Sequence, residues 1–305
     1  MKKFIITFFT FLPIPAILYV AIICMWGDIA FEILKYKPYY YPIGEYGHTY
    51  TRLKEAKQTH DVDILFIGSS HTYRGFDPRI FKNAGYKTFN MGSSAQTPIE
   101  TKLLVDRYIK KLNPKLVIFE VSPEMFCSDG VEASLDIFAN DKNDYGSIRM
   151  ALRLNDKKTY NALIYSFYRQ IFNRNHWDEK KVKRTDTYIE GGYVEKQLAY
   201  FKNMKFPEKK LIWNKMQFSA FEEIISELKI NNIKTIFVQT PMASELYKSY
   251  TNKDYFNTEI KKHGIYYNFN EIMTLNDSLY FFDDDHLNQL GVNLFNDKLI
   301  DIIKN

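Results

Sequence analysis

The chain has 305 residues, 46% of them hydrophobic and 25% charged, enough for one globular domain with accessories, which excludes a disordered or low-complexity protein. Its formal net charge of +5 is modest, and neither an arginine-rich helix nor a nucleic-acid-binding module accompanies it, so nucleic acid is not an expected partner. The two cysteines, Cys24 and Cys127, lie far apart in chain and context, giving no disulfide framework and no zinc spacing; neither a metal nor a cofactor is expected.

The first element is apolar. Phe4 to Trp26, "FIITFFTFLPIPAILYVAIICMW", carries no charge and is long enough to cross a bilayer as a helix, and Pro13 and Pro15 kink such a helix without excluding it. Lys2 and Lys3 precede the run while Asp28 and Glu32 follow it. That asymmetry predicts a single-pass anchor in a bacterial cytoplasmic membrane, with the N-terminus inside and the body extracytoplasmic. A cleaved signal peptide is the rival, but no small-x-small site follows the run. The expected organisation is thus an anchor over residues 1–27, a juxtamembrane segment over 28–61 and a body over 62–305. In the segment between, "KYKPYYYP", Lys35 to Pro42, suits either the tyrosine belt of a membrane interface or a loop of packed aromatics.

The body alternates apolar runs with helical patterns. Strands are predicted at Asp63–Ile67, Lys87–Met91, Lys115–Val121, Lys234–Gln239 and Ile265–Phe269, and their near-continuous apolar centres fit a parallel sheet buried on both faces. The expected fold is α/β, a three-layer sandwich around five parallel strands. Thr97, Pro98 and Glu100 start a helix that Asn113-Pro114 ends. Another helix carries Phe221, Ile224, Ile225 and Leu228, and the last runs from about Asn288 to Ile303. Between about residues 122 and 207 the regularity fails. This basic, aromatic segment is too long for a connection and is expected to be a helical insertion over one end of the sheet. Covering an active site, meeting an anionic glycan, resting on the membrane and serving as a plain elaboration all remain open for it.

Chemistry concentrates in two places. "DILFIGSSHTYRGFDP", Asp63 to Pro78, ends a strand at Gly68-Ser69-Ser70-His71, at the carboxyl edge where parallel sheets gather their ligands. A serine there needs a base, and the base an orienting group. Near the other end, "YFFDDDHLNQLGVNLF" puts Asp283 three residues before His286, just ahead of the last helix. In a loop that spacing lets a carboxylate address one imidazole nitrogen while the other faces a hydroxyl.

In this order the pieces resemble the SGNH (GDSL-like) hydrolase superfamily over about Asp63 to Asn305. The resemblance implies that Ser70 is the nucleophile, with Ser69 at the position of the family's aspartate. It further implies that Gly92, in "FNMGSSAQTP", is the glycine of the second block, and that Asp283 and His286 form the terminal Asp-x-x-His. The Ser70 and Gly92 N–H groups would receive the oxyanion. The third block departs: "FEVSPEMF", Phe119 to Phe126, lacks the asparagine that family members use there, leaving Ser122 as a candidate donor and Glu120 to shape the pocket. Losing that donor without replacement costs about 10²–10³-fold in rate. Ser69 is expected to support the turn. His71 and Arg74 either contact an anionic substrate or, for Arg74, pin the helix that follows.

A Gly-Ser-Ser turn in an anchored, extracytoplasmic chain looks like the DltD-type branch and the SGNH-like acyltransferases that modify bacterial surface polymers. That similarity implies an acylated or acyl-accepting surface glycan as substrate and a membrane-bound O-acyltransferase as companion. The expected activity is serine acyl transfer, either esterase or O-acyltransferase. A different class stands beside it: a non-catalytic SGNH-like module that binds glycan or scaffolds the acyltransferase.

Overall fold

The structure, a computed structural model, describes residues 3, 10, 11, 13–33 and 42–304. Helix α1 spans Pro13–Ile33, so it continues beyond Trp26, where the apolar run was expected to end. Asp28 sits inside this helix and accepts hydrogen bonds from Tyr165 Oη (3.0 Å), Tyr168 Oη (2.9 Å) and Arg174 Nη1 (2.8 Å). Residues 4–9 and 12 of the expected span, and residues 35–41 of the tyrosine-rich stretch, lie outside the described residues. Among the described residues no helix is long and apolar enough to cross a membrane.

After α2 (Thr49–Ala56) the body builds one sheet from β1 (Ile64–Ile67), β2 (Thr88–Asn90), β3 (Leu116–Glu120), β7 (Lys234–Gln239) and β8 (Tyr266–Asn268). All neighbours are parallel in the order β2-β1-β3-β7-β8, as the five apolar runs predict. The strands are buried on both faces, and successive side chains join alternate cores because they leave opposite faces. Leu65, Ile67, Val117, Phe119 and Phe237 join one core with Leu104, Val105 and Phe221 from helices α5 (Pro98–Leu112) and α9 (Lys215–Ile230). Ile64, Phe66, Ile118, Ile236 and Val238 join the other, with Phe76 beyond α3 (Ser70–Gly75), Phe81 of α4 (Pro78–Asn83), and Phe295 and Leu299 of the terminal helix, Gln289–Lys304. Two buried faces make three layers. The start of α5 is the predicted box: Glu100 Oε2 accepts from Thr97 N at 3.0 Å and Thr97 Oγ1 at 2.5 Å.

The segment between β3 and α9 is only partly helical, which corrects the expectation. Helices α6 (Val131–Asn140), α7 (Tyr145–Leu154) and α8 (Lys157–Ile171) add Ile137 and Phe138, Met150, and Leu163, respectively, to the first core. A three-stranded antiparallel sheet follows, β4 (Val182–Lys183), β5 (Asp186–Ile189) and β6 (Tyr193–Lys196). Its turn is tied to β2 by Gly191 O accepting from Asn90 N (2.8 Å) and to α2 by Gly192 O accepting from the buried Arg52 Nε (2.8 Å). This small sheet thus meets the carboxyl end of β2 and the helix α3 that follows β1.

Candidate active site

Strand β1 delivers its chain to a turn at Gly68, whose φ of +142° a side chain would strain; a Cβ there would also stand 2.6 Å from Thr72 Oγ1 and 2.7 Å from Glu120 Oε2. Ser69 follows as the N-cap of α3, its hydroxyl accepting from His71 N at 3.3 Å. That hydroxyl donates to Glu120 Oε2 (2.8 Å), and Ser69 N donates to the same oxygen (3.0 Å). Glu120, fully buried at the end of β3, thus ties two strand ends together. Burial pushes its pKa up, against the pull of His71 and the Ser69 donors.

Ser70 is the first residue of α3, where helix geometry leaves the backbone N–H without an intrahelical acceptor. Its Oγ lies 2.9 Å from His286 Nε2. His286 stands in the loop before the terminal helix, with Phe282 stacked on its ring at 5.4 Å and 7°. Asp283 organises this loop: its Oδ1 accepts His286 N at 2.7 Å and Asp285 N at 3.2 Å, and its two oxygens stand 3.0 and 3.1 Å from His286 Nδ1. A carboxylate at Nδ1 favours the tautomer with the proton there, leaving Nε2 to accept from the Ser70 hydroxyl. Burial lowers the His286 pKa, but Asp285 and Asp283 outweigh it and the neighbouring His71, so the net shift is upward.

The remaining expected residues fall around this line. Gly92 packs under the turn; a Cβ would stand 2.5 Å from Ser69 O and 2.6 Å from Thr72 Cβ, so no side chain fits without displacing backbone. His71 is buried against Ser69 (Nδ1 to Oγ, 3.1 Å), with Glu120 Oε1 3.7 Å from Nδ1 and Asp285 Oδ2 3.5 Å from Nε2. Burial alone would lower its pKa, yet Asp285 and Glu120 raise it to about 9. Arg74 does not pin the following helix. It reaches Asp186 on β5 with both terminal nitrogens (3.3 and 2.8 Å), fastening α3 to the small sheet, and its Cζ lies 5.7 Å from the Phe282 ring centre. Ser122 is buried at the start of a 3₁₀ turn, Pro123–Phe126, and its hydroxyl makes no hydrogen bond among the described residues. No asparagine stands at the end of β3; Glu120 occupies that edge and faces Ser69.

Asp285 is the residue that sequence reasoning missed: its Oδ1 comes within 2.6 Å of His286 Nδ1. The signal was the triple aspartate before the histidine, which spacing alone does not resolve into separate roles. His71, Asp285 and His286 offer donor atoms within 4.8 Å of one another, as do Asp283, Asp284 and Asp285. His286, however, faces Ser70 with one nitrogen and carboxylates with the other, an acid–base arrangement to which no metal is assigned. A small crevice lined by His71, Arg74, Thr240, Asp285 and His286 opens beside the pair.

No protein-family model matches the chain, and no curated protein does. Among solved structures it is similar to a GDSL-like lipase from Bacteroides thetaiotaomicron, with 13% identity and a TM-score of 0.43 over 85% of this chain and all of that one. It is also similar to a Bacteroides fragilis protein described as an acylhydrolase, with 14% identity and a TM-score of 0.39 over 83% and 95% of the two chains. Likeness at this level assigns neither activity nor substrate.

Proposed function

We propose that this chain is an SGNH-type serine acyl-transfer enzyme whose nucleophile is Ser70. The observation that carries the reading is the unbroken line Ser70 Oγ, His286 Nε2, His286 Nδ1, Asp283, with contacts of 2.9 and 3.0 Å. In the proposed reaction His286 Nε2 takes the Ser70 proton as Oγ attacks an ester or thioester carbonyl carbon, and Asp283 stabilises the imidazolium. The N–H groups of Ser70 and Gly92 are the donors assigned to the oxyanion. Collapse of the tetrahedral intermediate expels the alcohol or thiol, which receives the proton from His286, and leaves an acyl-Ser70 ester. Water releases the acid; a sugar or polyol hydroxyl carries the acyl group onward. The neighbouring crevice and the cations Arg74 and Lys196 around Phe282 suit a polar, hydroxylated acceptor.

The same reading includes an anchored, extracytoplasmic body acting on a surface glycan beside a membrane-bound O-acyltransferase. It is supported by the uncharged run from Phe4 to Trp26 with lysines before it and acids after it, and by exposed Ile17, Leu18 and Ile22 on α1. A reporter fused after the terminal helix should be active outside the cytoplasm; activity inside would remove the surface-polymer reading.

A second reading, a non-catalytic glycan-binding or scaffolding module, is favoured by one observation: the end of β3 presents a buried acid where a third oxyanion donor would stand. A fluorophosphonate probe separates the two. Labelling that maps to Ser70 and is lost on heat denaturation supports the enzyme, whereas folded protein that remains unlabelled supports the module.

A further inference from the structure

One carboxylate in the site has an oxygen for each of two imidazoles. Asp285 Oδ1 is 2.6 Å from His286 Nδ1 and its Oδ2 is 3.5 Å from His71 Nε2. The two rings lie 4.8 Å apart at 30°. His71 Nε2 is buried and has no hydrogen bond among the described residues, so the Asp285 carboxylate, 3.5 Å away, is the group that compensates it. On the far side His71 Nδ1 meets Ser69 Oγ at 3.1 Å, and that hydroxyl donates to Glu120. A chain of polar contacts therefore runs from Glu120 through Ser69, His71, Asp285 and His286 to Ser70.

We infer that Asp285 is a second positioning carboxylate of the base, holding His286 and His71 as one unit. Like the proposed function, this rests on Ser70 and His286 being nucleophile and base. The two carboxylates divide the work by geometry. Asp283 accepts the backbone N–H groups of Asp285 and His286, so it shapes the loop as well as meeting Nδ1. Among the described residues the Asp285 side chain makes no such backbone contact, and it acts by charge on the two imidazoles. Two imidazoles this close repel when both are protonated, and the carboxylate between them offsets that repulsion. His71 in turn weakens the pull of Asp285 on His286, because one carboxylate serves two cations.

The groups facing these rings are few. Around His286 stand Ser70 and His71 from α3, Asp283, Asp285 and the Phe282 ring from its own loop, and the field of Glu120 from β3. Around His71 stand Ser69, Glu120, Asp285 and, at longer range, Glu124. Around Asp285 stand the two imidazoles, with the fields of Asp284 and Tyr250.

The test is a titration of the histidine rings by NMR, read alongside the pH profile of fluorophosphonate labelling, for wild type, Asp285→Asn and His71→Gln. Removing the carboxylate should lower the His286 midpoint by about one pH unit, and removing the second imidazole should raise it by about half a unit. The acid limb of labelling should move with each, in opposite directions, and Asp285→Asn should slow labelling about tenfold or more at its plateau. The His286 shift in the double variant should differ from the sum of the two single shifts. A His286 midpoint unmoved by Asp285→Asn, or shifts of one sign in both variants, would overturn the inference. Asp285→Ser gives the same reading if the asparagine variant does not fold. Because the rings titrate whether or not Ser70 reacts, failure of wild type to label would count against the proposed function and leave the NMR result to decide this inference.

Discussion

His286 Nε2 meets Ser70 Oγ at 2.9 Å across a sequence separation of 216 residues. Tertiary packing brings them together: β1 sets the serine at its carboxyl edge, and the terminal helix, packed through Phe295 and Leu299 on the core that also holds Phe76 beyond α3, carries the loop with the histidine. If the pair acts as one unit with Asp283, Ser70→Ala and His286→Ala should each lower hydrolysis of a small activated ester at least about 1,000-fold, and the double variant should be little worse than either single. Asp283→Asn should cost less than either or about as much, since the base remains. Steady-state hydrolysis with circular dichroism checks both activity and fold; additive losses would contradict a single unit.

The second prediction concerns Gly92. A methyl at this position would push on Ser69 O, only 2.5 Å away, and so displace the turn that presents Ser70. Gly92→Ala should reduce ester hydrolysis about 10²–10³-fold by misplacing an oxyanion donor. The KM for a small ester should change little, because the substitution acts on the transition state. Unchanged kcat in a folded variant would remove Gly92 from the proposed donors.

A third prediction is about stability. Burial raises the Glu100 pKa from 4.5 to about 8, with the Thr97 hydroxyl and N–H opposing that shift. Between these values the folded protein keeps a proton that the unfolded chain has released. The contribution is therefore complete below about 4.5 and is lost as pH rises through about 8. Urea midpoints should fall from pH 5 toward pH 8 less steeply for Glu100→Gln than for wild type. Parallel slopes would show that Glu100 is not the titrating group.

Much of this was legible in the chain. The strand runs "ILFI" and "LVIF" have no polar interruption, so two-sided burial followed directly, and the Thr97–Glu100 box fixed the start of α5. The small sheet was hidden because β4, β5 and β6 are two to four residues long and their mixed polar sequence carries little period. The dipeptide Gly191-Gly192 between Ile189 and Tyr193 was the available hairpin signal. At the site, residue type and order pointed to Ser70, Asp283 and His286. What sequence does not encode locally is direction: Arg74 turned to Asp186 on an element more than a hundred residues away, Glu120 turned to Ser69, and Asp285 turned inward beside Asp283. Those choices depend on packing between distant segments.

The central claim is that Ser70 carries the acyl group between donor and acceptor. Its most direct test is to mix the protein with p-nitrophenyl acetate, quench in acid within the first turnover, and map the acetyl group by mass spectrometry of the Ser70-containing peptide. The account predicts one acetyl group on Ser70 in wild type, accumulation of that adduct when deacylation is slowed, and no adduct in Ser70→Ala. Hydrolysis by wild type with no acylated Ser70 at any quench time, or the same acetylation and turnover in Ser70→Ala, would contradict it.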